Sequence, residues 1–213
     1  MKRLMSFLLL YAVCGALAGG GNVCASGQPE AENMQEEGIR EFCAADLSDL
    51  LLKTREAVYE SAEITKEQIV PYDKPAEGSF IENLAVDVMV SGQPCKIQFY
   101  YKPDETLTQI NCIFSADEGF SDDKEELWRV AAETVELLEE KWKDEMGVSG
   151  NAFRAEKVPD FAKPVNKRKS FYMNNGICYN FSFDSFPVEG KADVCDIVFS
   201  FQVVQSDLSD TVK

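Results

Sequence analysis

Histidine is missing altogether from this chain. That one absence removes the usual base of serine and cysteine nucleophiles, the commonest metal ligand, and the side chain that titrates near neutral pH. Positive charge is scarce as well: 21 lysines and arginines stand against 37 aspartates and glutamates, a formal net charge of −16 at pH 7. A balance of that sign repels nucleic acid and anionic membrane surfaces and favours a well-solvated exterior. Neither G-x-x-x-x-G-K-S/T nor G-x-G-x-x-G occurs, so no glycine loop is present to cradle a phosphate. No C-x-x-C pair occurs either, and without histidine a structural zinc would have only scattered cysteines and carboxylates to hold it. Neither a cofactor nor a metal is expected. The segment Gly147-Val148-Ser149-Gly150 lacks the second glycine spacing of a nucleophile elbow and follows a helical pattern, which makes it a helix-ending loop.

Long apolar runs are wanting too. Residues 4–18 form an apolar stretch of about 15 residues, short of the roughly 20 that span a bilayer. Lys2 and Arg3 precede it, Gly19, Gly20 and Gly21 break it, and Val23-Cys24-Ala25 closes it with small residues. This is the pattern of a secretory signal peptide over residues 1–25, with cleavage after Ala25 or, at the earlier Ala16-Leu17-Ala18, after Ala18. The expected location is therefore secreted or extracytoplasmic, with no stable membrane insertion after cleavage. Cutting after Ala25 leaves Cys43, Cys95, Cys112, Cys178 and Cys195, whereas the earlier cut also retains Cys24. Residues 26–40 are polar and acidic with almost nothing to bury and read as a flexible tether. Residues 41–213 remain for a single domain, with sub-lobes at 41–120 and 121–213 as its natural division.

Periodicity assigns the elements. Leu47, Leu50, Leu51, Val58 and Ala62 recur at three and four spacings and predict a helix over 46–62. Residues 69–71, followed by the Pro75 to Gly78 cluster, read as irregular chain or a short edge strand. The period then becomes two. Leu84, Val86, Val88 and Val90 define one strand, and Cys95, Ile97, Phe99 and Tyr101 the next. A type II′ turn centred on Gly92-Gln93 would pair Val90 with Cys95, Val88 with Ile97 and Val86 with Phe99. A turn at Pro103-Asp104 returns a strand carrying Ile110, Cys112 and Phe114.

Ser121 and the acids after it begin a helix whose stripe is Leu127 or Trp128, Ala131, Val135, Leu138 and Trp142, with Gly147 as its stop. That stripe is expected to cover the apolar face of the three preceding strands. Residues 148–170 read as loop. Two strands follow, one facing inward through Ile177, Tyr179, Phe181 and Phe183, the other through Cys195, Ile197, Phe199, Phe201 and Val203. The fold class is therefore α+β: antiparallel sheet with helices packed on one face, in the order helix, strands, helix, strands. Cys95-x-Ile97-x-Phe99 and Cys195-x-Ile197-x-Phe199 echo one another and suggest a two-lobe pseudo-repeat.

Candidate chemistry is thin. A two-residue loop at Pro103-Asp104 sets Cys95 directly opposite Cys112, which makes them the expected disulfide; a register two residues longer sets Cys95 opposite Phe114 instead. Cys178 and Cys195 fall on opposite faces of their hairpin and are not expected to bridge. Lys163, Lys167, Arg168 and Lys169 concentrate positive charge in an acidic molecule and are the candidate contact for an anionic partner. Asp117, Glu118, Asp122 and Asp123 lack the EF-hand alternation and are accounted for by helix capping. Tyr100, Tyr172 and Tyr179 are aromatics able to stack on sugars or peptide, and Asn180-Phe181-Ser182 is a glycosylation sequon. The sequence thus points to an exported binding or interaction module without catalytic activity. Its partner would be a protein or an extracellular polymer and not nucleic acid. The alternatives are a carboxylate-dependent extracellular carbohydrate hydrolase and a structural cell-envelope component. Oligomeric state is not encoded in any of these features.

Overall fold

Period-two patterning dominates the chain, and its product is a single mixed sheet with helices to one side. The computed structural model describes residues 39–72, 79–114, 124–146, 153–187 and 195–205. The leader, most of the tether, the Pro75 to Gly78 cluster, the Asp117 to Asp123 acids, Gly147 to Gly150 and the connection after Pro187 lie outside them. Nine strands are described: β1 Arg40–Phe42, β2 Ile69–Pro71, β3 Phe80–Leu84, β4 Val88–Val90, β5 Gln93–Tyr101, β6 Leu107–Phe114, β7 Val165–Tyr172, β8 Ile177–Pro187 and β9 Cys195–Gln205. They run in the order β1-β4-β5-β6-β9-β8-β7, with β3 alongside the second half of β5 and β2 outside β3. Only the β1–β4 contact is parallel. The β6–β9 pairing joins the earlier and later strands into one sheet. No described helix is long and apolar enough to cross a membrane.

Register makes one face continuous. Ile97 lies opposite Cys112, Cys112 opposite Phe199, and Phe199 opposite Phe183, all of them buried. On this face the α-helix α2, Lys124–Trp142, buries Leu127, Trp128, Ala131, Val135 and Leu138. Trp128 meets Phe183 edge-on at 5.2 Å, and half-buried Trp142 packs on Phe171 and Tyr179 at 5.0 and 4.9 Å. The helix therefore covers the late strands β7 to β9, not β4 to β6 as the sequence order suggests. An apolar face that is continuous over β4, β5, β6, β9 and β8 offers a helix several places, and the aromatic side chains of β7 and β8 meet its tryptophans.

Three further expectations change. The helix predicted over 46–62 is two pieces, a 3₁₀ segment Ala44–Leu50 and the α-helix α1, Arg55–Ser61. Between them Leu52 takes a left-handed φ of 67°, and its N–H donates to the Leu107 carbonyl while Leu107 N–H donates to Lys53, both at 2.9 Å. Backbone bonding to β6 thus outweighs helical continuity, and Thr54 caps the second piece. The strand expected through Val86 is broken into β3 and β4, so Glu82, not Val86, lies opposite Phe99. Finally, residues 165–172 form strand β7, not loop. Val165, Lys169 and Phe171 are buried on its inward face, and the charges on Lys169 and on exposed Lys167 between them hide the alternation.

Both turns also shift. Val90 pairs with Gln93, which centres the first turn on Ser91-Gly92, and φ values of 49° and 78° make it type I′ in place of the expected II′. At Pro103-Asp104 the loop gains a residue: Glu105 adopts a left-handed φ of 61°, its N–H donates to Lys102, and Asp104 Oδ1 accepts from Thr106 N–H at 3.1 Å. The first change slides the pairing by two residues, and at the second the added loop residue together with a register shift between Tyr100 and Tyr101 does the same, so the side chains keep their faces.

Candidate functional site

The sheet face turned away from the helices carries the most distinctive chemistry. Because register holds across five strands, its side chains fall into transverse rows. In one row Asn83 pairs with Gln98, Gln98 with Asn111, Asn111 with Ser200, and Ser200 with Ser182. In the adjoining row Tyr100 pairs with Gln109, Gln109 with Gln202, Gln202 with Asn180, and Asn180 with Ser170. No member of either set is charged, in a chain in which 27% of residues are. Strand spacing makes a row of five about 19 Å long, and the rows lie about 7 Å apart. All these positions are half-buried except Asn180 and Ser182, which are buried. Among the described residues, no helix lies on this face.

Hydrogen bonds connect the rows in one direction. Ser200 Oγ and Gln109 Nε2 donate to Asn111 Oδ1 at 2.7 and 2.9 Å. Asn111 Nδ2 donates to the Tyr100 hydroxyl at 3.1 Å, Tyr100 donates to Gln98 Oε1 at 3.1 Å, and Gln98 Nε2 donates to Asn83 Oδ1 at 2.8 Å. Such a chain polarises its members and fixes their rotamers before anything binds. Each side-chain amide has two N–H donors, and this chain uses one each from Gln109, Asn111 and Gln98. Burial pushes the Tyr100 phenol up, so it stays neutral. One end of the band borders exposed Tyr72, whose N–H donates to the Ile81 carbonyl on β3.

A second polar cluster lies on the helix side. Glu82 is 3% exposed, accepts from the Tyr59 hydroxyl at 2.7 Å, and forms an ion pair with Arg55. Arg55 Nε donates to the same hydroxyl at 3.0 Å. Burial and the Glu82 hydrogen bond push Tyr59 up to about 12. Tyr101 is also buried, raised by burial and by the Glu82 charge, and its hydroxyl has no hydrogen-bond partner among the described residues. This constellation clamps α1 to β3, and both its carboxylate oxygens are engaged.

The four basic residues are separated by the fold. Lys163 pairs with Asp160 at 3.5 Å, Lys167 and Arg168 are exposed on opposite faces of β7, and Lys169 is 3% exposed in an ion pair with Glu139 of α2. Lys169 is thus a structural cation, and the group does not form one surface. Of the four, only Arg168, opposite Ser182, adjoins the uncharged band, which is also bordered by exposed Lys96 and by Asp184, the acceptor of the Ser182 hydroxyl at 2.8 Å. The cysteine register is the longer of the two considered: Ile97 faces Cys112, leaving Cys95 diagonal to it on the same buried face. A hydrogen bond with Cys95 and burial push the Cys112 thiol well up. Cys43 is exposed, and Cys178 and Cys195 lie at opposite ends of the β8–β9 ladder. Of the three tyrosines, Tyr100 belongs to the band, Tyr172 is exposed at the β7 edge, and Tyr179 stacks on Trp142. Among the described residues no three histidine, cysteine, aspartate or glutamate side chains gather to hold a metal ion.

Sequence patterning missed the band because outward strand positions are expected to be polar. The signal available was their uniformity: Asn83, Gln98, Asn111 and Gln202 stand where lysine and glutamate usually alternate. The chain matches no family model, no curated protein and no solved structure.

Proposed function

We propose that the chain is an exported binding module without catalytic activity, and that it meets its partner through the uncharged band on the open sheet face. The observation that carries this reading is the band itself, two registered rows of amide and hydroxyl side chains already ordered by one another. A surface needed only for solubility would carry charge there, as the rest of the molecule does. Preordered polar groups lose little further entropy on contact, which suits recognition. The hydrolase alternative requires two acids converging on a cleft. Glu82 is instead held under α1 by Arg55 and Tyr59.

The test compares binding of fluorescently labelled chain to envelope and extracellular material of the producing cells. Asn111→Lys, which puts a charge in the middle of the band, is expected to abolish binding, whereas Lys167→Ala leaves it intact. Equal binding by both variants would refute the assignment.

In an oxidising compartment we further propose that Cys95 and Cys112 close as a disulfide, two thiols giving up two electrons and two protons to a disulfide-bearing oxidant. Both are free thiols in this structure, diagonal across the β5–β6 pair, so closure requires the two side chains to be drawn together there. Non-reducing peptide mapping of the exported chain is expected to find this linkage; free thiols at both positions would exclude it.

A further inference from the structure

We infer that the ligand of the band is a neutral oligosaccharide or polysaccharide segment lying across the strands; this rests on the binding role proposed above. Three observations converge. First, the central strands β5, β6, β9 and β8 spend their backbone groups on one another, so this face offers only side chains and cannot extend a peptide strand. Second, what it offers is amide and hydroxyl groups, each both donor and acceptor, spaced about 4.8 Å apart along a row. Sugar hydroxyls are likewise donors and acceptors in regular succession, whereas a carboxylate, sulfate or phosphate polymer would meet cations only at the margins, Lys96 and Arg168, with Asp184 between them and a strongly acidic protein around. Third, Tyr100 and exposed Tyr72 put aromatic rings at one end, where the apolar face of a sugar ring can rest.

The row length of about 19 Å suits an extended segment of several rings better than a single sugar. Gln98, Asn111 and Gln202 would carry the contacts, since they occupy the middle of the band.

Affinity electrophoresis of the full exported chain in native gels containing dextran, mannan, a mixed-linkage β-glucan or xylan, with heparin as the anionic control, decides the matter. At least one neutral polymer is expected to retard the chain. Raising salt should leave the effect unchanged, as befits an uncharged ligand. Gln202→Ala should weaken retardation at least threefold and Asn111→Ala at least tenfold. The thermal midpoint should stay at the parent value for Gln202→Ala and fall for Asn111→Ala, which loses three side-chain hydrogen bonds while remaining folded at the temperature of the gel; if Asn111→Ala fails to fold, Gln202→Ala alone carries the comparison.

Migration unaffected by every neutral polymer, retardation by heparin alone, or neutral-polymer retardation that survives the folded variants would each overturn the inference. If no polymer retards the chain yet Asn111→Lys still abolishes binding to the envelope and extracellular material, the glycan assignment falls and the binding face stands. If neither binding responds to these substitutions, both fall.

Discussion

Glu82 shows how much one residue can organise. It sits on the inward side of β3, where an apolar residue would ordinarily be placed, and its charge is met by Arg55 and the Tyr59 hydroxyl of the helix above. Replacing it by leucine leaves Arg55 and Tyr59 without their acceptor. The expected loss is about 2–3 kcal/mol, less than for a fully buried pair because the Arg55 side chain is 35% exposed. Tyr101→Phe removes a buried hydroxyl that has no partner among the described residues, so it is expected to be neutral or to stabilise by up to about 1 kcal/mol. Urea denaturation of both variants checks these signs, and a destabilised Tyr101→Phe would mean that its hydroxyl is engaged. The alkaline limb follows from Tyr59. Its folded value of about 12 lies above the ordinary 10, so its contribution is complete below pH 10 and disappears as pH climbs through 12. The denaturation midpoint should fall across that window, and less steeply in Tyr59→Phe.

At the level of elements, α2 bears most of the packing. Leu138 is 1% exposed beneath it, and Leu138→Ala is expected to cost about 2–5 kcal/mol. An unchanged denaturation midpoint would show that this stripe faces water. The helix itself was legible from its 3.6-residue stripe, as were β5, β6, β8 and β9 from their alternation. What could not be read was the partner of each. Two of the three strands expected under α2 are covered instead by the Leu52–Leu107 backbone bonds and the Tyr59–Glu82 contact, which bring the 3₁₀ segment and α1 to β3 and β6. The split of the first predicted helix has the same origin. A pair of backbone bonds to a strand 55 residues away leaves no trace in local spacing. Strand β7 was missed for a related reason, since Lys169 reads as solvent-exposed until Glu139 of α2 is seen above it.

For the molecule as a whole, charge sets the terms. The net charge of −16 becomes more negative if Lys2 and Arg3 leave with the leader. Intact mass of the exported protein is expected to start at Ser26 or Gly19; a retained Met1 would exclude cleavage, and a diacylglyceryl mass on a cysteine would exclude release into solution. The uncharged band lies within an acidic protein, and a neutral ligand meets amide and hydroxyl partners there without a charge having to be desolvated, which is why the proposed role and ligand class converge on it.

The sequence by itself determined the class of structure and the face of the residues in β5, β6, β8 and β9. Alternation is a local property, and slipping either hairpin by two residues leaves it intact, as the turns at Ser91-Gly92 and Pro103-Asp104 demonstrate. It also excluded histidine-based catalysis and phosphate loops, because those need residues that are simply not present. Only the tertiary structure decided which outward residues stand in one row, because Asn83, Gln98, Asn111 and Ser200 come from four strands and meet only through long-range register. It likewise decided that Lys169 is an internal cation and not part of a surface. Burial and pairing are properties of what packs against a residue, and a charged side chain announces neither in its own neighbourhood of sequence.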